Sequence, residues 1–205
     1  MELKQALEEL RKGEKRKFAQ GVDLIINLKG IDTKKDNVSA IVPLPHKIKE
    51  KKICGFFTKK SELVTTITNL DFPRYKDKKA LKKLVKEFDF FIAVALLMPS
   101  VATAFGKVLG PVGKMPSPQL GIVGSEDPRA VKDVLDKISN SLKIRVKELS
   151  VKILIGKESM KDEEIISNIQ AVYNGLISVL PIKKDNVKNV MIKFTMSKPI
   201  KVEVK

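Results

Sequence analysis

Residues 2–12 place Leu3, Ala6, Leu7 and Leu10 at intervals of three and four, with charges filling the other positions. That spacing predicts an amphipathic helix, stopped by Gly13. VDLIINL (22–28) and SAIVPL (39–44) are apolar, β-branched runs and predict strands. The prolines on either side of Leu44 end the second. ICGFF (53–57) predicts a third. GIDTKKDN (30–37) carries turn residues and charge, and HKIKEKK (46–52) is a basic connector. ELVTTITNLDF (62–72) fits a short helix and a strand equally well. DKKALKKLVKEF (77–88) predicts a helix. Ala80, Leu81, Leu84, Val85 and Phe88 form its apolar stripe, and Lys78, Lys79, Lys82, Lys83 and Lys86 an opposite face, read as solvated.

FDFFIAVA (88–95) is continuously apolar, as in a strand covered on both faces. MPSVATAF predicts a short helix, and a Gly/Pro-rich segment follows. DPRAVKDVLDKISNSL (127–142) predicts a helix with Asp127 as N-cap and Pro128 in the first turn. Val131, Val134, Leu135, Ile138 and Leu142 form its stripe. IRVKELSVKILIG (144–156) holds one or two strands. KDEEIISNIQAVYNGLISVL (161–180) is a long amphipathic helix, acidic in its first turn as the helix dipole favours. NVMIKFTM (189–196) and IKVEV (200–204) are the last strands. The alternation argues an α/β or α+β architecture. No internal repeat or low-complexity linker marks a domain boundary.

Charge changes the picture more than composition does. The 205 residues are 43 % apolar, ordinary for a folded protein, but 40 Lys and Arg face 24 acids, a net charge of +16. An excess of one sign speaks about partners rather than fold, with nucleic acid first and an anionic membrane surface second. No apolar run approaches the eighteen residues of a membrane span, and the charged N-terminus has no signal-peptide features. The expectation is a soluble, cytoplasmic protein. One cysteine, Cys54, excludes an internal disulfide and reads as a small buried hydrophobe. One histidine, His46, sits in the loop PLPHK and reads as solvated. A single Cys and a single His build neither a zinc site nor a catalytic dyad, so neither a metal nor catalytic residues are expected.

The segment GKVLGPVGKMPSP (106–118) is unlike the rest of the chain, with its three glycines, three prolines and two lysines. A phosphate loop needs Gly, four residues, then Gly-Lys-Ser/Thr; Val108 stands at the first position and Met115 at the last. A dinucleotide loop fails at Val108 as well. The reading left is a stiff loop that braces structure or offers Lys107 and Lys114 to phosphate.

Several motifs together resemble the universal large-subunit ribosomal protein family of the mobile stalk beside the exit-tRNA site, the L one family. They are KRKFAQGVDLIINLKGID (15–32), VPLPH (42–46), DFFIA (89–93), LGPVGKMPSP (109–118), KESMKDEEIISNI (157–169) and KFTMSKP (193–199). The resemblance covers nearly the whole chain in order, and the GKMP form is closer to the archaeal and eukaryotic branch. It implies two domains. The first is a discontinuous split-βαβ domain at 1–59 and 147–205, carrying the main rRNA contact. The second is an inserted Rossmann-like α/β domain at 60–146. Two neighbouring connections would act as a hinge.

The resemblance also implies site residues. The family's Lys-Phe pair matches Lys17 and Phe18, and its Thr-Met-Gly turn matches Thr195 and Met196, with Ser197 in place of Gly. The small polar residue six positions before the threonine is Asn189, where serine is usual, and Lys193 lies between. Arg16, Lys15, Lys107 and Lys114 are candidate secondary contacts. Val112 stands where the family carries Arg. An aromatic inside a basic run suits RNA, which is read by stacking, shape and 2′-hydroxyls.

The function so implied is a structural large-subunit constituent, not an enzyme. It would bind large-subunit rRNA, assist release of exit-site tRNA, and repress translation through its own mRNA. No cofactor and no membrane partner are implied, and the chain would be a monomer off the ribosome. A non-ribosomal nucleic-acid-binding protein and a nucleotide-handling enzyme are the alternatives.

Overall fold

The computed structural model describes residues 1–13, 16–32, 38–75 and 77–204. In chain order the helices are α1 (Leu3–Arg11), α2 (Lys78–Glu87), α3 (Met98–Val112), α4 (Pro128–Ser139) and α5 (Asp162–Val179). The strands are β1 (Gly21–Leu28), β2 (Ser39–Pro43), β3 (Ile53–Phe56), β4 (Thr65–Ile67), β5 (Phe90–Val94), β6 (Ile122–Val123), β7 (Ser141–Arg145), β8 (Ser150–Lys157), β9 (Val187–Phe194) and β10 (Ile200–Val202). The mixed α/β architecture agrees with the alternation of patterns. The chain falls into two compact units, one of Met1–Ile48 with Asn140–Lys205 and one of Lys49–Ser139.

In the first unit an antiparallel sheet runs β10-β9-β1-β8. β1 pairs antiparallel with both β8 and β9, so it lies between the two strands that α5 connects. That is the split-βαβ arrangement. β2 and β7 form a separate antiparallel pair. The stripe of α1 (Leu3, Ala6, Leu7, Leu10) and that of α5 (Ile165, Ile169, Val172, Leu176) join the inward residues of the sheet in one core. Each fully buried Leu or Ile there stabilises the unit by roughly 1.5–3 kcal/mol. The half-buried His46 is not simply solvated. Asn168, fully buried in α5, accepts the His46 backbone N–H at 3.0 Å and donates to its carbonyl at 3.1 Å, pinning the PLPHK loop.

The second unit has a parallel sheet in the order β4-β3-β5-β6. Its core is aromatic. The Phe56 ring lies 4.9 Å from that of Phe105 and 5.8 Å from that of Phe91, and Phe72 meets Phe105 edge-on at 5.1 Å. Strand pairing sets the unit limits. Among the described residues β3 pairs only with β4 and β5, and β7 only with β2, so the crossings fall at 48/49 and 139/140 instead of 59/60 and 146/147.

Three local expectations change. The helix expected at 127–142 ends at Ser139, and Leu142 belongs to β7, opposite Val42. ELVTTITNLDF resolves into β4 and a 3-10 turn over Asn69–Tyr75. The helical stretch Ala95–Val112 is by length and composition apolar enough to cross a membrane, contrary to the expectation of no such run. Its Ser, Thr, Gly and Lys107 interrupt the apolar string and hide it. Within the unit it presents Val101, Phe105 and Leu109 to the aromatic core.

Candidate nucleic-acid interface

β1 starts and β9 ends at the same edge of the first unit's sheet, because Val22 stands opposite Phe194. The chain before β1 is Lys17–Phe18, and the chain after β9 is Thr195–Met196. The Thr195 side chain helps to join them. The Thr195 hydroxyl accepts the Gly21 N–H at 3.0 Å, and the Thr195 N–H donates to the Gly21 carbonyl at 3.0 Å. Beyond Thr195 the chain turns: the Ser197 N–H donates to the Phe194 carbonyl at 3.0 Å, and the Ser197 hydroxyl accepts the Phe194 N–H at 2.8 Å. Thr195 and Met196 therefore occupy the tip of a turn closed at both ends by Ser197. Among the described residues only Lys183 has positive φ outside glycine. The turn therefore has no need of glycine at position 197, where the family usually has one.

The tip is apolar and exposed. Phe18 is 54 % exposed and Met196 60 %. Leu154, 38 % exposed, is the third large apolar residue here; its Cδ1 lies 2.6 Å from where a side chain on residue 21 would begin, so it covers Gly21. Arg16 and Lys17 are exposed beside Phe18. Lys15 lies outside the described residues.

A partly buried network holds this end together. Gln20, 4 % exposed, accepts the Met196 N–H on its side-chain oxygen at 3.2 Å. Its own backbone exchanges two bonds with Glu158: the Gln20 N–H donates to the carboxylate, and the Glu158 N–H donates to the Gln20 carbonyl. Arg11 at the end of α1 braces the loop after β8, donating to the Glu158 and Met160 carbonyls at 2.8 Å each and to the Asp162 carboxylate at 2.9 Å.

The sheet face leading away from the tip is only partly covered. Along β9, Val190, Ile192 and Phe194 are buried while Asn189, Met191 and Lys193 are not. Asn189 lies some six residues from Thr195, about 20 Å at strand rise. Thr195 lies in the turn beyond β9, so the structure does not bring Asn189 and Thr195 together. The Asn27 amide donates to Asn189 Oδ1 at 2.7 Å. Lys193 stands opposite Asp23, and Met191 between Ile25 and Lys201. Sequence reasoning missed Gln20, Leu154 and Met191. Leu154 carried a signal, because it breaks the in-out alternation of β8 at an outward position, next to Lys152. Gln20 carried none, since its role depends on partners far along the chain.

In the second unit Lys107 is exposed on α3. Lys114 is engaged within the protein, where its ammonium donates to the Val85 and Phe88 carbonyls at 2.7 Å each. Those carbonyls end α2, so Lys114 is a helix-capping residue and not an open RNA contact. The segment expected to be a stiff loop is mostly helix. α3 runs to Val112, with Pro111 in its last turn, and Gly113 at φ 78° ends it. The Lys114 N–H bonds to the Leu109 carbonyl and the Gly113 N–H to that of Gly110. This is a Schellman cap, in which a left-handed residue satisfies the last helix carbonyls.

The parallel sheet reverses its strand order at β3, and α/β units hold ligands outside the carboxyl ends of strands at such a point. A cleft of about 610 Å³ lies there, lined by Lys59, Lys60, Leu63, Glu126 and Pro128 among others. The Thr58 hydroxyl donates to Glu126 at 2.7 Å, and the Thr58 N–H donates to the same oxygen. Burial opposes ionisation of Glu126, but these donors, with the Lys59 N–H and ammonium, hold its carboxyl below the usual range. Donors that cradle phosphate in nucleotide-binding folds are here taken by the protein's own carboxylate. Among the described residues no cluster of His, Cys, Asp and Glu could hold a metal ion.

Comparison with known proteins gives the family. The family model described as "Ribosomal protein L1p/L10e family" matches residues 10–198. Three archaeal proteins named "Large ribosomal subunit protein uL1" are similar over nearly their whole length. That of Pyrobaculum calidifontis is 34 % identical, covering 98 % of this chain and 92 % of its own. That of Archaeoglobus fulgidus is 34 % identical, covering 95 % and 94 %. That of Nanoarchaeum equitans is 33 % identical, covering 94 % and 95 %. With a family model spanning 10–198 and relatives of this identity matched end to end, the chain belongs to the ribosomal protein L1 family, in its archaeal form.

Proposed function

We propose that this protein is a structural constituent of the large ribosomal subunit, in the cytoplasmic ribosome, and binds large-subunit rRNA through the sheet end of its first, discontinuous unit. The observation that carries the reading is the Thr195–Gly21 pair of hydrogen bonds, which brings the Lys17–Phe18 and Thr195–Met196 segments to one edge. Phe18 and Met196 supply exposed apolar surface for unstacked bases or sugars. Arg16, Lys17 and Lys193 supply charge for phosphate. Ser197 shapes the turn, and Asn189 offers a polar contact further down the face. No catalytic step belongs to this reading.

Filter binding to an rRNA stalk fragment tests it, with Phe18→Ala and Met196→Ala beside the unaltered chain. Base stacking on one side chain is worth roughly 1–3 kcal/mol, so each variant should lose on the order of tenfold in affinity or more. Unchanged affinity in both overturns the site. Two finer roles rest on the same face: easing deacylated tRNA from the exit site, and repressing translation by binding a mimic of the rRNA site in its own message. Competition tests the second. A leader fragment that displaces stalk rRNA supports repression, and one that does not displace it at any concentration removes that role.

A further inference from the structure

We infer that the lysine face of α2 in the second unit is a docking surface for RNA backbone, separate from the sheet end of the first unit. Lys79, Lys82, Lys83 and Lys86 are exposed along it. They recur at three and four residues, so neighbours lie about 5–6 Å apart and the row extends about 10 Å along the axis. Five of the ten residues of α2 are lysines against a single acid, Glu87 at the end. Among the described residues no ion pair is formed by these four lysines.

Like charges at such spacing destabilise a helix, and the other helices avoid it. α4, in the same unit, interleaves Arg129 with Asp133, Lys132 with Asp136, and Asp133 with Lys137 at i,i+4. α1 does the same with Lys4 and Glu8. A general lysine bias does not account for one helix left unneutralised beside one that is balanced. α2 tolerates the repulsion because it is held elsewhere. Leu81, Leu84, Val85 and Phe88 are buried. The Asp77 side chain accepts the Lys79 N–H at the N-terminus. At the C-terminus the Lys114 ammonium holds the Val85 and Phe88 carbonyls. The segment that bears the family's signature thus fastens the helix that carries the lysine row.

The chemistry selects the occupant. The apolar stripe of α2 is spent on the core, so the face has no exposed anchor for a membrane or for a protein hot spot. Four mobile ammonium groups in a row suit successive phosphates and read no bases. The inference rests on the RNA-binding reading above but concerns a different unit and different residues.

The test uses the full chain with Lys79, Lys82, Lys83 and Lys86 all changed to Gln, and a second variant with all four changed to Arg. Gln and Arg are good helix formers, and far-ultraviolet circular dichroism checks that α2 survives. Binding is measured against salt with three probes: the stalk rRNA fragment, a deacylated tRNA and polyglutamate. Each phosphate left without its cation lowers the slope of log affinity against log salt by roughly 0.7–0.9, so the Gln variant should lose about 3 on RNA while the Arg variant keeps the slope. Loss on the stalk fragment alone identifies rRNA as the source of the backbone, and loss on tRNA alone identifies tRNA. An unchanged slope on both RNAs in a folded Gln variant overturns the inference, as does a loss confined to polyglutamate. Phe18→Ala alters affinity through the first unit, so failure there and failure here are told apart.

Discussion

The Gln20 side-chain oxygen accepts the Met196 N–H at 3.2 Å, joining positions 176 residues apart in sequence. Gln20 touches no solvent to speak of, yet it sets the direction of the most exposed apolar side chain at the sheet end. Gln20→Ala removes this acceptor and leaves the Met196 N–H unpaired, which costs about 1 kcal/mol of stability. Affinity for stalk rRNA should fall several-fold, less than for Met196→Ala, although neither apolar side chain has changed. A Gln20→Ala protein with full affinity would mean that the Thr195–Gly21 and Ser197 bonds hold the turn without Gln20.

Lys114 and Gly113 should behave as capping residues. Lys114→Met removes two charge-assisted bonds to the end of α2, each worth roughly 1.5–3 kcal/mol at most in a half-buried setting. Gly113→Ala forces a side chain into the left-handed region at φ 78°, at about 1 kcal/mol. Both should lower the melting temperature measured by calorimetry. Neither should change affinity for a short stalk fragment that reaches only the first unit. A Lys114→Met protein of normal stability and weakened RNA binding would restore the direct-contact role.

The same residues explain how much the sequence could disclose. α1 and α5 are legible because each buries one stripe against a single core, so the three-four periodicity survives intact. β6 is two residues long and leaves no period to detect. β7 follows α4 after a single residue, and its Leu142 continues the helical stripe by chance, which hid the boundary. Limits between units depend on which strands pair, and composition does not record pairing. At the sheet end, the basic and aromatic run at 16–18 stood out. The Gln20–Glu158–Arg11 support did not, because polar residues in long-range networks have no local signature. The Gly/Pro segment was conspicuous for its cap and not for any ligand.

Cys54 gives a direct view of the second unit. It is fully buried in β3, and burial, then the nearby Glu87 carboxylate, push its thiol up to about 12. Only thiolate reacts, so at neutral pH the native thiol should resist labelling by Ellman's reagent. Labelling should proceed at the rate at which the unit opens, and Lys114→Met should speed it. Fast labelling of the untreated native chain would contradict the packing around Phe56 and Phe91.

Acid should destabilise the second unit through two carboxylates. The Thr68 hydroxyl, then its N–H, with Arg74 and Lys60 adding, hold Asp71 below its ordinary 3.8. Glu126 sits below its ordinary 4.5, burial being outweighed by the Thr58 hydroxyl and N–H and by Lys59. A carboxyl whose folded value is depressed adds stability above its unfolded value and loses that contribution as pH falls through the folded one. The loss should therefore begin as pH drops past about 4.5 and continue below 3.8. Both groups are partly open to solvent, so the effect is modest and salt weakens it. The check is the urea midpoint read by far-ultraviolet circular dichroism between about pH 5 and pH 3. Glu126→Gln should flatten the upper part of that fall and leave the part due to Asp71. A slope identical to that of the unaltered chain would mean that the Thr58 cradle contributes nothing to stability.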